Sequence, residues 1–184
     1  MSTTFHNIAL VGKYQSPDVA ESVMAIARFL RERGLMVWIE QGTASSIGGA
    51  GDFPVSSYEN IGSEADLAVV VGGDGTMLHT ARRLVEYGVP LAGVNLGRVG
   101  FLTDIALKDA NHYLGEIVDG RFCEEMRFLL DAEVLRGGKR VFQTLALNDV
   151  VVNKGELGRM IEFDLSIDGE FVYTQRSDGM IIST

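Results

Sequence analysis

Residues 67–71 (Leu-Ala-Val-Val-Val) form an apolar run without alternation, and the run stops on Gly72-Gly73-Asp74-Gly75. A continuous apolar run is the pattern of a strand covered on both faces, as in the parallel sheets of α/β domains, so this stretch is expected inside a sheet. Three glycines in four positions then let the backbone turn sharply and approach a ligand, because no Cβ stands in the way. Residues 76–87 carry Met77, Leu78, Ala81, Leu84 and Val85 at the spacing of a helix face, so the turn opens a helix. In a doubly wound sheet, ligands bind at the carboxyl ends of the strands, and glycine amides at a helix N-terminus favour anions. Asp74 stands out in such a turn. A pure phosphate cradle does not welcome another negative charge, so the carboxylate points to a hydroxyl to be held, or to a cation between it and phosphates. The bland reading of the same residues is a strand-to-helix turn with a capping aspartate.

The chain before this run supplies the layer that buries it. Residues 7–11 read as a first strand, ended by Gly12-Lys13 at the expected ligand edge, where Lys13 is either a phosphate contact or a surface lysine. Ser16-Pro17 starts a helix, with serine as N-cap and proline at the first helical position. That helix places Val19, Val23, Ile26 and Leu30 on one face and has Gly34 just past its end, and residues 35–39 follow as a second strand. Residues 42–62, small and without period, read as a long loop with no assigned role. After the central strand and its helix, residues 91–94 form another strand. It leads into residues 95–103 (Asn-Leu-Gly-Arg-Val-Gly-Phe-Leu-Thr), a second glycine-punctuated loop at the same sheet edge. Residues 109–118, closed by Gly120, form the last helix of this half.

From Arg127 the period changes. Residues 128–135 are strand-like, residues 136–139 turn, and residues 141–152 return. Ile161, Phe163, Leu165 and Ile167 alternate with Glu162, Asp164, Ser166 and Asp168, the mark of a strand with one wet face. Asp168-Gly169 is a tight hairpin turn into residues 171–175. Residues 180–182 end the chain as an apolar strand with no downstream partner. The expected organisation is an α/β domain over residues 1–122, Rossmann-like with a parallel sheet, and an incomplete all-β domain over residues 123–184, the start of a β-sandwich.

Composition narrows the function classes. With 46% hydrophobic residues the chain can build a substantial core, and no apolar segment reaches the roughly 18 residues of a membrane span. The net charge of −9 argues against a nucleic-acid partner, whose phosphates it repels. One cysteine, Cys123, allows no internal disulfide, and the N-terminus lacks a basic region followed by an apolar run, so a cytoplasmic location is expected.

Four polar clusters recur beside the strands: residues 72–75, residues 95–103, Asn148-Asp149, and Arg176-Ser177-Asp178-Gly179. Together, in this order and spacing, they resemble the NAD kinase family. The family shares its Gly-Gly-Asp-Gly loop with lipid kinases and phosphofructokinases. It is set apart by Asn-x-Gly-x-x-Gly-Phe-Leu, by an Asn-acid pair and by Arg-Ser-Asp-Gly, each matched here. Asn148-Asp149 stands where the family commonly has Asn-Glu, and the family's further C-terminal segment is not in this sequence. The resemblance therefore implies that part of the dinucleotide site lies outside these residues.

The resemblance implies transfer of the γ-phosphoryl of ATP to the 2′-hydroxyl of the adenosine ribose of NAD, with Asp74 as the catalytic acid-base residue. Gly75 brings backbone close to the ligand, Asn148 and Asp149 contact the dinucleotide, and Asp178 contacts a base or amide. Arg159 and Arg176 supply charge near the phosphates. His79 either faces a phosphate or is a partly buried helix residue, while His6 and His112 read as surface residues. Mg²⁺ is expected with ATP and no dedicated protein metal site, since there is no His/Cys ligand cluster. A homo-oligomer, dimer or tetramer, is expected. The rival readings are a lipid or sphingoid kinase with the same loop, which needs a greasy acceptor groove, and a non-catalytic NAD(P)-binding module, which has no use for Asp74.

Overall fold

The computed structural model describes residues 5–12, 17–97, 100–155 and 158–184. The chain divides into two units, Met1–Glu125 and Met126–Thr184. In the first, a six-stranded parallel sheet has the order β3-β2-β1-β4-β5-β6. Its strands are β1 (Asn7–Gly12), β2 (Met36–Glu40), β3 (Val55–Ser56), β4 (Leu67–Val71), β5 (Leu91–Asn95) and β6 (Ile105–Ala106). As the unbroken apolar run requires, β4 lies inside the sheet between β1 and β5, and all five of its residues are buried. Helix α1 (Pro17–Glu32) lays Val19, Val23, Ile26, Ala27 and Leu30 against the sheet in one core with Ile8, Leu10, Val69 and Val71. Helix α5 (Ala110–Val118) adds Leu114 and Val118 to that core. A smaller core on Ala9, Val11 and Ala68 is closed by Tyr58, Ile61 and Leu84. Lys13 and the Ser16 cap lie outside the described residues.

The expected loop at residues 42–62 is corrected. It contains helix α2 (Gln41–Ser46), edge strand β3 and helix α3 (Tyr58–Glu64). The physical reason is capping. The carboxylate of buried Glu40 accepts the N–H groups of Gly42 at 2.8 Å and Thr43 at 2.7 Å, and Ser57 Oγ accepts Asn60 N–H at 3.3 Å. These bonds take up helix-start donors that a six- or seven-residue helix otherwise leaves open. The central helix also differs from its expected bounds. Helix α4 is Asp74–Leu84, so it starts on the aspartate, and a short 3₁₀ turn covers Val85–Tyr87.

Among the described residues, the regular elements of the second unit are all β-strands. It holds three antiparallel ladders: β7 (Leu130–Arg136) with β8 (Lys139–Ala146), β10 (Ile161–Ile167) with β11 (Glu170–Ser177), and β9 (Asp149–Asn153) with β12 (Gly179–Ser183). In β10 the residues Ile161, Phe163 and Leu165 are half-buried and Glu162 and Asp164 exposed, as their alternation requires, but Ile167, past the register shift between Leu165 and Ser166, is exposed and departs from it. Asp168 (φ 54°) and Gly169 (φ 85°) both turn left-handed, the geometry of a two-residue hairpin. Two expectations change here. The single return strand over residues 141–152 is split between β8 and β9, which belong to different ladders. The last strand has a partner upstream, because β12 pairs along its full length with β9.

Candidate active site

The site is built at the carboxyl edge of the parallel sheet. Gly72 N–H donates to Val94 O at 2.9 Å, so the chain leaving β4 stays tied to the end of β5. Gly73 is extended (φ −106°, ψ −173°) and its carbonyl accepts the N–H groups of Thr76 at 3.0 Å and Met77 at 3.2 Å, which sets the first turn of α4. Nothing stands within 4 Å of where a Cβ would lie on Gly73 or Gly75, so the backbone of this turn is open to approach. Asp74, between them, is half-buried.

Its carboxylate is held by the loop that follows β5. Phe101 N–H donates to Oδ2 at 2.9 Å, Leu102 N–H to Oδ1 at 3.0 Å, and the Thr103 hydroxyl to Oδ1 at 3.2 Å. The approach is close enough that a Cβ on Gly100 would strike the Asp74 carboxylate. A Cβ on Gly93 of β5 would likewise meet Leu102 O and Thr103 Cα at 2.9 Å, so the loop lies directly on the strand. Asn95, buried at the end of β5, donates through Nδ2 to Thr103 Oγ1 at 2.7 Å and accepts Gly97 N–H at 2.8 Å. The Leu102 N–H, then the Phe101 N–H, hold the Asp74 carboxyl below the ordinary aspartate range, and the Thr103 hydroxyl adds to them against the opposing effect of desolvation. Asp74 is thus an ionised, oriented acceptor at neutral pH. The sequence signals for the side-chain part of this cluster were Asn95 and Thr103, the two small polar residues bracketing the glycine loop.

The other expected site residues are placed as follows. His79 is exposed, roughly 140° around the helix from Asp74. It packs edge-on to Tyr58 with ring centroids 6.0 Å apart. In the second unit, Asn148 Nδ2 donates to Asp149 Oδ1 at 2.9 Å at one end of the β9–β12 ladder. Asp178 sits at the other end, where its Oδ1 accepts from Lys154 Nζ at 2.7 Å. Five strand steps, about 17 Å, separate Asp149 from Lys154. Arg176 faces Glu162 across β11 and β10 at 4.0 Å, and Arg159 is exposed. Among the described residues, no group of three or more His, Cys, Asp or Glu side chains converges into a metal cage.

An interior parallel strand that delivers a glycine turn and an immobilised aspartate to the sheet edge defines an α/β protein with a Gly-Gly-Asp-Gly acid site. Residues 8–122 match the family model described as the ATP-NAD kinase N-terminal domain, and the chain belongs to the NAD kinase family. It is 78% identical over its whole length to the NAD kinase of Azoarcus sp. (strain BH72) and 73% identical to that of Aromatoleum aromaticum. The chain spans 63% and 61% of these two curated relatives. A crystal structure of an NAD kinase from Archaeoglobus fulgidus in complex with ATP is 27% identical, with a TM-score of 0.66, over 96% of this chain and 60% of that one. Yeast NADH kinase complexed with NADH, at 23% identity, shares the fold with a TM-score of 0.84 over 100% of this chain and 58% of its own.

Proposed function

We propose that this chain is part of an NAD kinase that transfers the γ-phosphoryl of ATP to the 2′-hydroxyl of the adenosine ribose of NAD, giving NADP and ADP. The observation that carries this reading is the Asp74 carboxylate, held ionised beside an open glycine turn at a helix N-terminus. In a loose phosphoryl-transfer transition state the nucleophile needs orientation more than early deprotonation, and a carboxylate with a lowered pKa is suited to that task. The acceptor hydroxyl donates to Asp74 and its oxygen bonds to the γ-phosphorus. The bond from that phosphorus to the bridging oxygen of ADP breaks, and the hydroxyl proton passes to the carboxylate and on to water. Gly75 lets the backbone lie against the ligand.

Asn148 and Asp149 read ribose hydroxyls, Asp178 a base or amide, and Arg159 and Arg176 supply charge near the phosphates, while His79, on another face of α4, packs against Tyr58. The separation of Asn148-Asp149 from Asp178 along one ladder suits a ligand with two nucleoside ends. Mg²⁺ enters with ATP, bound by its phosphates. A homo-oligomer, dimer or tetramer, belongs to the same reading, and the free thiol of Cys123 fits a reducing cytoplasm.

The test is a coupled assay of the intact protein with NAD, ATP and Mg²⁺. NADP that a glucose-6-phosphate dehydrogenase can reduce is the expected product. Phosphorylation of a lipid or sphingoid base instead, or NAD binding without turnover, would overturn the reading in favour of one of its rivals.

A further inference from the structure

The Thr103 side chain is fully buried, as Asn95 nearly is, and neither lies in the glycine turn itself. Both are committed to one chain of hydrogen bonds: Gly97 N–H to Asn95 Oδ1, Asn95 Nδ2 to Thr103 Oγ1, and Thr103 Oγ1 to Asp74 Oδ1. Because Asn95 Nδ2 donates to Thr103 Oγ1, the hydroxyl proton is left to point at the carboxylate, which fixes the donor direction. A carboxylate offers about four acceptor sites, two on each oxygen. Leu102 N–H and the Thr103 hydroxyl fill Oδ1, while Phe101 N–H takes one site on Oδ2.

We propose that Thr103 is a positioning residue that saturates Oδ1 of Asp74 and so leaves Oδ2 as the atom at which the acceptor hydroxyl is held. This deepens the kinase reading and rests on it. Without the Thr103 hydroxyl, Oδ1 regains an open site. The acceptor then has two places to bind, only one of them aligned with the γ-phosphorus, and turnover falls while ground-state binding is kept.

The experiment compares Thr103→Val and Thr103→Ser in the intact protein by steady-state kinetics and by a ¹³C-NMR titration of the Asp74 carboxyl, assigned against Asp74→Asn. Valine keeps the shape and removes the hydroxyl, and serine keeps the hydroxyl. Thr103→Val is expected to lower kcat by about tenfold to 100-fold with KM for NAD and ATP within about threefold. Thr103→Ser is expected to recover kcat to within about threefold, as a positioning role requires. The Asp74 titration midpoint rises in the valine variant and returns in the serine one. Thr103→Ala replaces valine if that variant does not fold. An unchanged midpoint in the valine or alanine variant, or a serine variant as slow as the valine one, would overturn the proposal and leave Thr103 a packing residue. If the wild type does not phosphorylate NAD, the kinase reading fails by itself, and the titration still decides whether Thr103 holds Asp74.

Discussion

Residues 5–125 and residues 126–184 both contain regular, apolar-patterned strands, yet they bury them differently. In the first region β1, β4 and α1 present side chains such as Ile8, Leu10, Val69 and Leu30 that are fully buried. Beyond Val118 no described residue is buried, and Phe142 at 58% and Ile181 at 69% exposure lie open on their ladders. The candidate site residues follow the same division. Asp74 is fixed by three donors from another loop, one of them the side chain of fully buried Thr103, whereas Asn148, Asp178 and Arg176 are exposed and meet neighbours on their own ladders. The sheet region therefore carries a pre-set geometry, because a packed core over-determines it. In this chain, which spans 63% of its relative from Azoarcus sp., the proposed recognition groups of the β region meet exposed partners, and such surface pairs are worth little by themselves.

The largest expected effect that sharpens this contrast is on stability. Trp38, the single tryptophan, lies in β2 and reports unfolding of the sheet unit by fluorescence. Leu10→Ala empties a fully buried position and is expected to cost about 2–5 kcal/mol in denaturant titrations followed at Trp38. Phe142→Ala removes a larger but exposed side chain and, in the 184-residue chain, is expected to shift the same transition by less than about 0.5 kcal/mol. Equal losses from the two variants would break the comparison.

A smaller effect is expected at the recognition groups. Asn148→Ala should weaken NAD binding by about tenfold, the loss of about one hydrogen bond to a ligand, with the thermal midpoint nearly unchanged. Calorimetric titration and a melting curve on the same sample check both halves. A large drop in midpoint with unchanged affinity would make Asn148 a structural residue of the β9–β12 ladder.

Much of the sheet region was legible because its signals are local. The unbroken apolar run of β4, the period of α1 and the glycines after β4 each act within a few residues, and parallel pairing follows from burial on both faces. What was missed depends on distant partners or on buried polar bonds. Helix α2 exists because the Glu40 carboxylate caps it from the end of β2, and neither the burial of that carboxylate nor its orientation is written in periodicity. The clamp on Asp74 joins residues 27 to 29 positions apart through the adjacency of β4 and β5. Likewise, β12 finds β9 across about thirty residues, where apolar strands of similar length compete for the same partner.

Under the proposed function, Asp74 orients the acceptor hydroxyl and contributes little to ground-state binding. Asp74→Asn in the intact protein tests it most directly, with kcat from the coupled assay and the NAD dissociation constant from calorimetry. Asparagine keeps the size and one acceptor oxygen but removes the charge and turns the other oxygen into a donor. Turnover is expected to fall by at least about 10²-fold with little change in NAD affinity. Near-normal turnover in that variant would contradict the account.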